Sequence, residues 1–192
     1  MLRSMFFAKG LDMPTTSAQN PADKLTLIVM GVSGSGKTTV GLQLARLTGA
    51  DFIDGDDLHT PAARAKMASG TPLTDDDRWP WLDRIGAALA DRVKHPKGLI
   101  VASSALRRVY RDRLRAGVGQ TLRFLYLHGD KALMRARVAS RKGHYMPASL
   151  IDSQFATLED PRGESDTVTL AADADLHKAL PETLHRLGGA SQ

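Results

Sequence analysis

The chain has 192 residues, 42% of them hydrophobic and 24% charged, which suits one domain with a well-buried core. It contains no cysteine, so disulfides, thiolate zinc sites and cysteine nucleophiles are excluded, and a reducing compartment is favoured. The net charge of +5 permits nucleic-acid binding, but a cleft that collects acidic ligands also needs cations, so charge alone does not decide between them.

The predicted organisation is a flexible tail over residues 1–23 followed by one domain over residues 24–192. The tail mixes turn formers with polar residues and shows no sustained period. Its short apolar patch, which includes Phe6 and Phe7, leaves a docking segment as the alternative. The sequence has no apolar stretch of the ~20 residues that span a bilayer and no signal-peptide pattern, so we expect a cytoplasmic protein without a membrane partner.

An apolar run over residues 25–30 leads into GVSGSGKT, in which Gly31, Gly36, Lys37 and Thr38 have the spacing of a P-loop. A loop that wraps around a phosphate must bring backbone N–H groups close to it, and side chains at the glycines would obstruct that approach. Lys37 then reaches the terminal phosphates, and the Thr38 hydroxyl is offered to Mg²⁺ at the start of a helix. The predicted nucleotide-binding residues are Gly31, Ser33, Gly34, Ser35, Gly36, Lys37, Thr38 and Thr39.

Short β-rich runs alternate with longer helical patterns along the rest of the chain. This alternation predicts an α/β fold of the P-loop NTPase type, with three α/β/α layers around a five-stranded parallel sheet and a helical lid. The predicted strands are 25–30, 51–53, 98–102, 121–127 and 167–170, and the predicted helices are 37–47, 80–93, 105–115, 131–141, 148–158 and 179–187. Ligands of such sheets bind beyond the carboxyl ends of the strands, so the functional residues are sought there.

Three carboxylates, Asp54, Asp56 and Asp57, follow the second predicted strand. Such a cluster repels itself without cations, so we assign Asp54 to Mg²⁺ together with Thr38, and Asp56 to the hydroxyl group that accepts a phosphate. The alternative is a helix N-terminus with acidic first-turn residues, and this is the interpretation that we favour for Asp57.

The segment GDDLHTPAARAKMASGTPLTDDDRWPWL over residues 55–82 resembles the signature of gluconokinases of the P-loop small-molecule kinase type. Further pieces agree, namely SALRRVYRDRLR, RKGHYMP and SQFATLEDP, and the resemblance covers about residues 25–187. It implies ATP-dependent phosphorylation of D-gluconate on its 6-hydroxyl group to give 6-phospho-D-gluconate and ADP, with Mg²⁺ and as a homodimer. The departures are Thr60 for a common Pro, Ala63 for Asn, Ser103 for Cys and Arg107 for Lys.

A sugar acid presents a carboxylate and several hydroxyl groups, so its pocket needs cationic forks beside neutral or acidic hydrogen-bond partners. The predicted substrate-binding segment covers residues 56–80, and Arg107 is added as a fork for the carboxylate. The predicted substrate-binding residues are Asp56, His59, Lys66, Arg78 and Arg107. A structural histidine, and ion pairs of Lys66 and Arg78 with the acids at 75–77, are the alternatives.

Two helix predictions bear on this pocket. Pro80 is placed in the first turn of the helix over 80–93, with Asp75 or Asp77 as structural acids ahead of it and Trp81 in the core. Arg107, Arg111 and Arg115 share one side of the next helix, where we expect an anion beside the first. Arg108, Arg113 and Arg115 are predicted to be solvated.

The predicted lid covers residues 137–150, where Arg137 and Arg141 lie four residues apart. Arginines there would close over the phosphates, exclude water and stabilise the transferred charge. The predicted catalytic residues are therefore Lys37, Asp56, Arg137 and Arg141. An outward-facing basic helix is the alternative. For Gln154 and Glu159 in the next segment, contact with the lid and contact with a dimer partner both stay open.

Other nucleotide-dependent functions are less well supported by the sequence. The third strand has no acid at its end, which counts against motor ATPases, and no N-K-x-D segment is present for reading guanine. No recognition helix or aromatic platform supports a nucleic-acid partner. A kinase for another small hydroxyl acceptor, such as shikimate, is the main alternative, and a regulatory protein without turnover is a further one.

Overall fold

The computed structural model describes residues 25–140 and 148–189. The predicted tail over 1–23, Arg141 and residues 142–147 of the predicted lid lie outside that part. Five strands form one fully parallel sheet in the order β2-β3-β1-β4-β5, which confirms the predicted sheet. The strands are β1 Thr26–Met30, β2 Asp51–Asp54, β3 Leu99–Ser103, β4 Leu122–His128 and β5 Thr167–Ala171.

Seven α-helices occur in the described part of the chain. They are α1 Lys37–Thr48, α2 Pro61–Ala68, α3 Asp75–Val93, α4 Arg108–Val118, α5 Lys131–Ala139, α6 Ala148–Thr157 and α7 Leu176–Gly189. Among the described residues, no helix is both long enough and apolar enough to cross a membrane.

The sheet is covered on both faces, which confirms the three-layer prediction. Leu27 and Val29 of β1 pack in one buried cluster with residues of α1 and α7. Ile28 and Met30 point to the opposite face and pack in a second cluster with residues of α3 and α4. Each fully buried aliphatic side chain contributes about 2 kcal/mol to folding, so these clusters fix the sheet and hence the positions of its carboxyl ends.

Helix α3 begins five residues before the predicted start at Pro80. The hydroxyl of Thr74 accepts the N–H of Asp77, and the Asp77 carboxylate accepts the N–H of Thr74, which forms a capping box. This cap and the three acidic residues of the first turn stabilise the helix ahead of Pro80. Their stabilisation exceeds the cost of the backbone hydrogen bond that is lost because proline has no N–H. The structural role expected for Asp77 is confirmed.

The sequence analysis missed α2; the short 3-10 helix over Gly55–Leu58 corresponds to the helix N-terminus that it gave as the alternative for the acidic turn. Only Ala63 of α2 is buried, so no apolar period marks this helix. The sequence does contain a start signal for this helix, a threonine followed by a proline. The Thr60 hydroxyl accepts the N–H of Ala63 at 3.0 Å, and Pro61 occupies the first helical position.

A buried ionic network joins α4 to the segment before β5. Arg111 is 0% exposed, and its guanidinium donates to Glu164 and to the carbonyls of Ala105, Leu106 and Glu159. Arg115 is largely buried and binds Glu164, so the prediction that Arg115 is solvated is wrong. The cause is a set of acids some 50 positions further along the chain, which helical spacing does not reveal.

We expect Arg111→Met to lower the free energy of unfolding by about 3 kcal/mol, because it removes one of the two arginines that pair with Glu164 and leaves the carbonyls of Ala105, Leu106 and Glu159 without their donor. Arg108→Met on the same helix is the matched control. Arg108 is 71% exposed, so its loss should change stability by less than about 0.5 kcal/mol. Urea unfolding of both variants measures the difference, and equal stabilities would show that the network does not stabilise the fold.

Candidate active site

The loop between β1 and α1 needs its glycines for backbone conformation and for close packing. Gly31, Gly34 and Gly36 have φ values of 144°, 85° and 94°. A Cβ atom would lie 2.7 Å from the carbonyl oxygen of Leu127 at Gly31 and 2.9 Å from that of Met134 at Gly34. The glycines therefore let the loop fit between β4 and α5, where its N–H groups can face an anion.

Lys37 and Thr38 begin α1 at the end of this loop. The Lys37 ammonium donates to the carbonyls of Gly31 at 3.0 Å and Val32 at 3.2 Å, so the side chain lies along the loop. The Thr38 hydroxyl donates to the Asp54 carboxylate at 3.1 Å. Thr39 is exposed in the same turn, whereas the Ser35 side chain is buried.

Asp54 connects the P-loop helix to the acidic turn after β2. One carboxylate oxygen accepts the Thr38 hydroxyl, and the other accepts the N–H of Asp56 at 3.2 Å, which caps the 3-10 helix. A hydroxyl and a carboxylate oxygen side by side, both in an exposed contact, fit Mg²⁺, which commonly takes one or two protein ligands plus phosphate and water oxygens. Asp57 lies in the first turn of the 3-10 helix, in accord with the structural interpretation.

The Asp56 side chain follows Asp54 in the acidic turn and keeps 79% of its surface exposed. Neighbouring protein atoms reduce the hydration of this carboxylate. This effect, followed by repulsion from Asp54, raises the pKa of Asp56, while the Lys37 ammonium acts in the opposite direction. A carboxylate with a raised pKa accepts a proton more readily than an ordinary one. This places a proton acceptor near the lysine of the phosphate loop.

His59 lies beside Asp56, with its Nε2 atom 4.0 Å from a carboxylate oxygen, and its side chain is only 5% exposed. The imidazole stacks on Trp81 at 4.4 Å between ring centroids and 9° between planes. Trp81 is buried as predicted, and its indole N–H donates to the Gly55 carbonyl at 2.7 Å. Burial, followed by the positive charges of Arg78 and Arg64, lowers the pKa of His59 to about 4, so the ring is neutral at pH 7.

Two predicted substrate-binding arginines meet at Asp75, which is the ion-pair alternative for Arg78 and supplies the anion expected beside Arg107; the part that Tyr110 plays was not predicted. The Asp75 carboxylate accepts hydrogen bonds from Arg107 and from the Tyr110 hydroxyl, and Arg78 lies 3.8 Å from it. The guanidinium carbons of Arg78 and Arg107 lie 5.7 Å and 5.4 Å from the centre of the Tyr110 ring. The hydrogen bonds from Tyr110 and Arg107 lower the pKa of Asp75, so it stays ionised.

Two further predicted residues, Lys66 and Arg137, each bind another group of the protein. Lys66 binds both carboxylate oxygens of Asp77 at 2.6 Å and 2.8 Å, which is the ion-pair alternative of the sequence analysis. Arg137 lies in the last turn of α5 and donates to the Ala172 carbonyl at 3.0 Å. Since Arg141 is outside the described residues, the predicted pairing of these two arginines stays a prediction.

Comparisons with known proteins show which proteins this chain resembles. Residues 27–161 match the family model described as an AAA domain. The chain is 46% identical to the thermosensitive gluconokinase of Escherichia coli K12 over 79% of this chain and 81% of that protein. It is 42% identical to the gluconokinase of Gluconobacter oxydans 621H over 82% and 88% of the two chains. A crystal structure of a gluconokinase from Sinorhizobium meliloti 1021 superposes with a TM-score of 0.76 at 46% identity, covering 85% and 93%.

We expect the stability of the protein to fall as the pH is lowered from 6.5 to about 4, because of His59. Above pH 6.5 neither the folded nor the unfolded state carries the proton; below it the unfolded chain takes up a proton that the folded state resists until about pH 4. The loss amounts to at most about 3 kcal/mol. The effect of Asp77, whose pKa is lowered to about 2 by hydrogen bonds from Lys66 and Thr74, falls below this window.

Urea unfolding at several pH values measures this slope. His59→Gln should flatten it between pH 6.5 and 4, whereas His177→Gln, at an exposed position, should keep the slope of the unmodified chain. An unchanged slope in His59→Gln would show that His59 is protonated equally in both states.

Proposed function

The chain belongs to the gluconokinase family, and on this basis we propose that its cleft transfers the γ-phosphoryl group of ATP to the 6-hydroxyl group of D-gluconate, giving 6-phospho-D-gluconate and ADP. The observation that carries the proposal is the contact between Thr38 and Asp54, which joins the phosphate loop to the acidic turn that holds Asp56. Phosphoryl transfer needs these two parts together, one to hold the donor and one to orient the acceptor.

The phosphate loop supplies the donor end of the site. Its N–H groups and the positive end of the α1 dipole favour the phosphates, and the Lys37 ammonium adds a positive charge at the same place. We assign ATP binding to the residues Gly31, Ser33, Gly34, Ser35, Gly36, Lys37, Thr38 and Thr39. Ser35 acts through its backbone, because its side chain is buried.

Thr38 and Asp54 are the residues that would hold Mg²⁺. Their exposed oxygens lie together at the phosphate end of the cleft, and the bond from Asp54 to the Asp56 N–H keeps the second acid beside them. When bound, the ion supplies neutralisation of the charge on the phosphates.

Asp56 is assigned as the residue that orients the acceptor hydroxyl and takes its proton. The proton moves to the carboxylate of Asp56 while the hydroxyl oxygen forms a bond to the γ-phosphorus, and the bond from that phosphorus to the ADP oxygen breaks. The raised pKa of Asp56 favours this transfer. His59 is buried and neutral beside Asp56, with its Nε2 atom 4.0 Å from the carboxylate, and we assign it to the acceptor side of the site.

The cluster around Tyr110 is assigned to the acid end of the substrate. Arg107 and Arg78 bring two guanidinium groups to one place, where a carboxylate is favoured by charge and by paired N–H donors. Asp75 stays ionised between them and is a hydrogen-bond acceptor for sugar hydroxyl groups. Lys66 supports this wall through its ion pair with Asp77.

Further assignments in the proposal rest on family resemblance. Arg137 and Arg141 are assigned to the charge on the transferred phosphoryl group, as lid residues. A homodimer and a cytoplasmic location are proposed on the same ground.

We expect Asp56→Asn to lower kcat about 10² to 10⁴-fold with D-gluconate, because the amide cannot accept the hydroxyl proton. ATP affinity should change little, since Asp56 lies on the acceptor side of Thr38 and Asp54. A coupled ADP-release assay measures kcat, and calorimetry measures ATP binding.

Asp57→Asn is the matched control, because Asp57 is exposed in the same 3-10 helix and should keep normal turnover. The acceptors to compare are D-gluconate, other sugar acids, D-glucose and shikimate. Equal kcat in Asp56→Asn would remove Asp56 from the mechanism, and preference for an acceptor other than gluconate would overturn the substrate assignment.

A further inference from the structure

We propose that Gln154 is a positioning residue of the phosphate loop, which it holds in its nucleotide-binding conformation through Ser33. The Ser33 N–H donates to the Gln154 side-chain oxygen at 2.7 Å, and the Gln154 amide nitrogen donates to the Ser33 hydroxyl oxygen at 3.1 Å. The two residues are 121 positions apart, so this contact is a product of the tertiary fold. The inference rests on the proposed function only in taking the loop as the ATP site.

The loop needs this partner because of its own geometry. The N–H of Ser35 donates to the carbonyl of Val32 at 3.2 Å, which closes a four-residue turn. Gly34, at the third position, has φ 85°, as a type II turn requires. Such a turn satisfies the N–H of its fourth residue but not that of its second, which is Ser33. An amide side chain meets both polar groups of Ser33 at once.

The side chains around Gln154 are largely apolar, which favours its hydrogen bonds to Ser33. Ile151, Phe155 and Leu158, on the same side of α6 or just beyond its end, pack in one apolar cluster with Val32 of the loop. A half-buried polar side chain among them is stabilised by its hydrogen bonds, because an unpaired amide there would cost free energy.

The turn is also restrained from its other side. The carbonyl of Met134 in α5 lies where a Cβ atom of Gly34 would be 2.9 Å away. The turn is therefore held between α5 and α6, and Gln154 supplies the polar contact from α6. Its amide donates to the Ser33 oxygen, so the hydroxyl hydrogen of Ser33 is directed elsewhere and can be donated to a phosphate oxygen.

Removing the amide should weaken nucleotide binding and leave acceptor binding intact. We expect Gln154→Leu to raise the Kd for ATP, and the KM for ATP, about tenfold, corresponding to the loss of one or two hydrogen bonds that organise the loop. The KM for gluconate should stay within about twofold. Calorimetry with ATP alone gives the Kd, and thermal melting reports whether the variant is folded.

Two further variants separate positioning from general stability. Ser153→Ala, at the exposed neighbouring position on α6, should bind ATP like the unmodified chain. Ser33→Ala should weaken ATP binding less in the Gln154→Leu variant than in the unmodified chain. In that variant the hydrogen bond between the two side chains is already absent.

Unchanged ATP affinity in folded Gln154→Leu would overturn the inference. So would parallel rises in the KM for ATP and for gluconate together with a lower Tm, since that is the signature of a purely structural role. If the unmodified chain binds ATP but phosphorylates no sugar acid, the proposed function fails while the ATP-binding comparison still decides the role of Gln154.

Discussion

The hydrogen bond from the Thr38 hydroxyl to the Asp54 carboxylate is the contact on which the rest of the site depends. It joins the first turn of α1, which the phosphate loop positions, to the end of β2. The second oxygen of Asp54 then holds the N–H of Asp56. Because parallel strands β1 and β2 end at the same edge of the sheet, one carboxylate sets the position of the acceptor side relative to the donor side.

The charges in the cleft are arranged in two groups around this contact. At the phosphate end, loss of hydration and then repulsion from Asp54 raise the pKa of Asp56, and Lys37 acts in the opposite direction. At the acceptor end, Asp75 holds Arg78 and Arg107 close to the ring of Tyr110. His59 stacks on Trp81 and lies beside Asp56. A molecule with an acid at one end and a hydroxyl group at the other suits such a site.

The sequence predicted the features that depend on residues close to one another in the chain. The phosphate loop, the strand that precedes it and the acids after β2 all follow from residues that are near one another in the chain. The start of α3 was misplaced because Pro80 suggested a boundary, whereas the Thr74 and Asp77 cap and three acids stabilise an earlier one. The Asp75 and Tyr110 pair and the Gln154 contact join residues 35 and 121 positions apart, and no local pattern indicates either.

The most direct measurement of the central claim is a crystal structure of the chain with Mg²⁺, a non-hydrolysable ATP analogue and D-gluconate. The account predicts that the 6-hydroxyl group lies within hydrogen-bond distance of the Asp56 carboxylate and in line with the γ-phosphorus, with Thr38 and Asp54 at the metal. A gluconate molecule whose 6-hydroxyl group lies away from Asp56, or a metal held without Thr38 and Asp54, would contradict it.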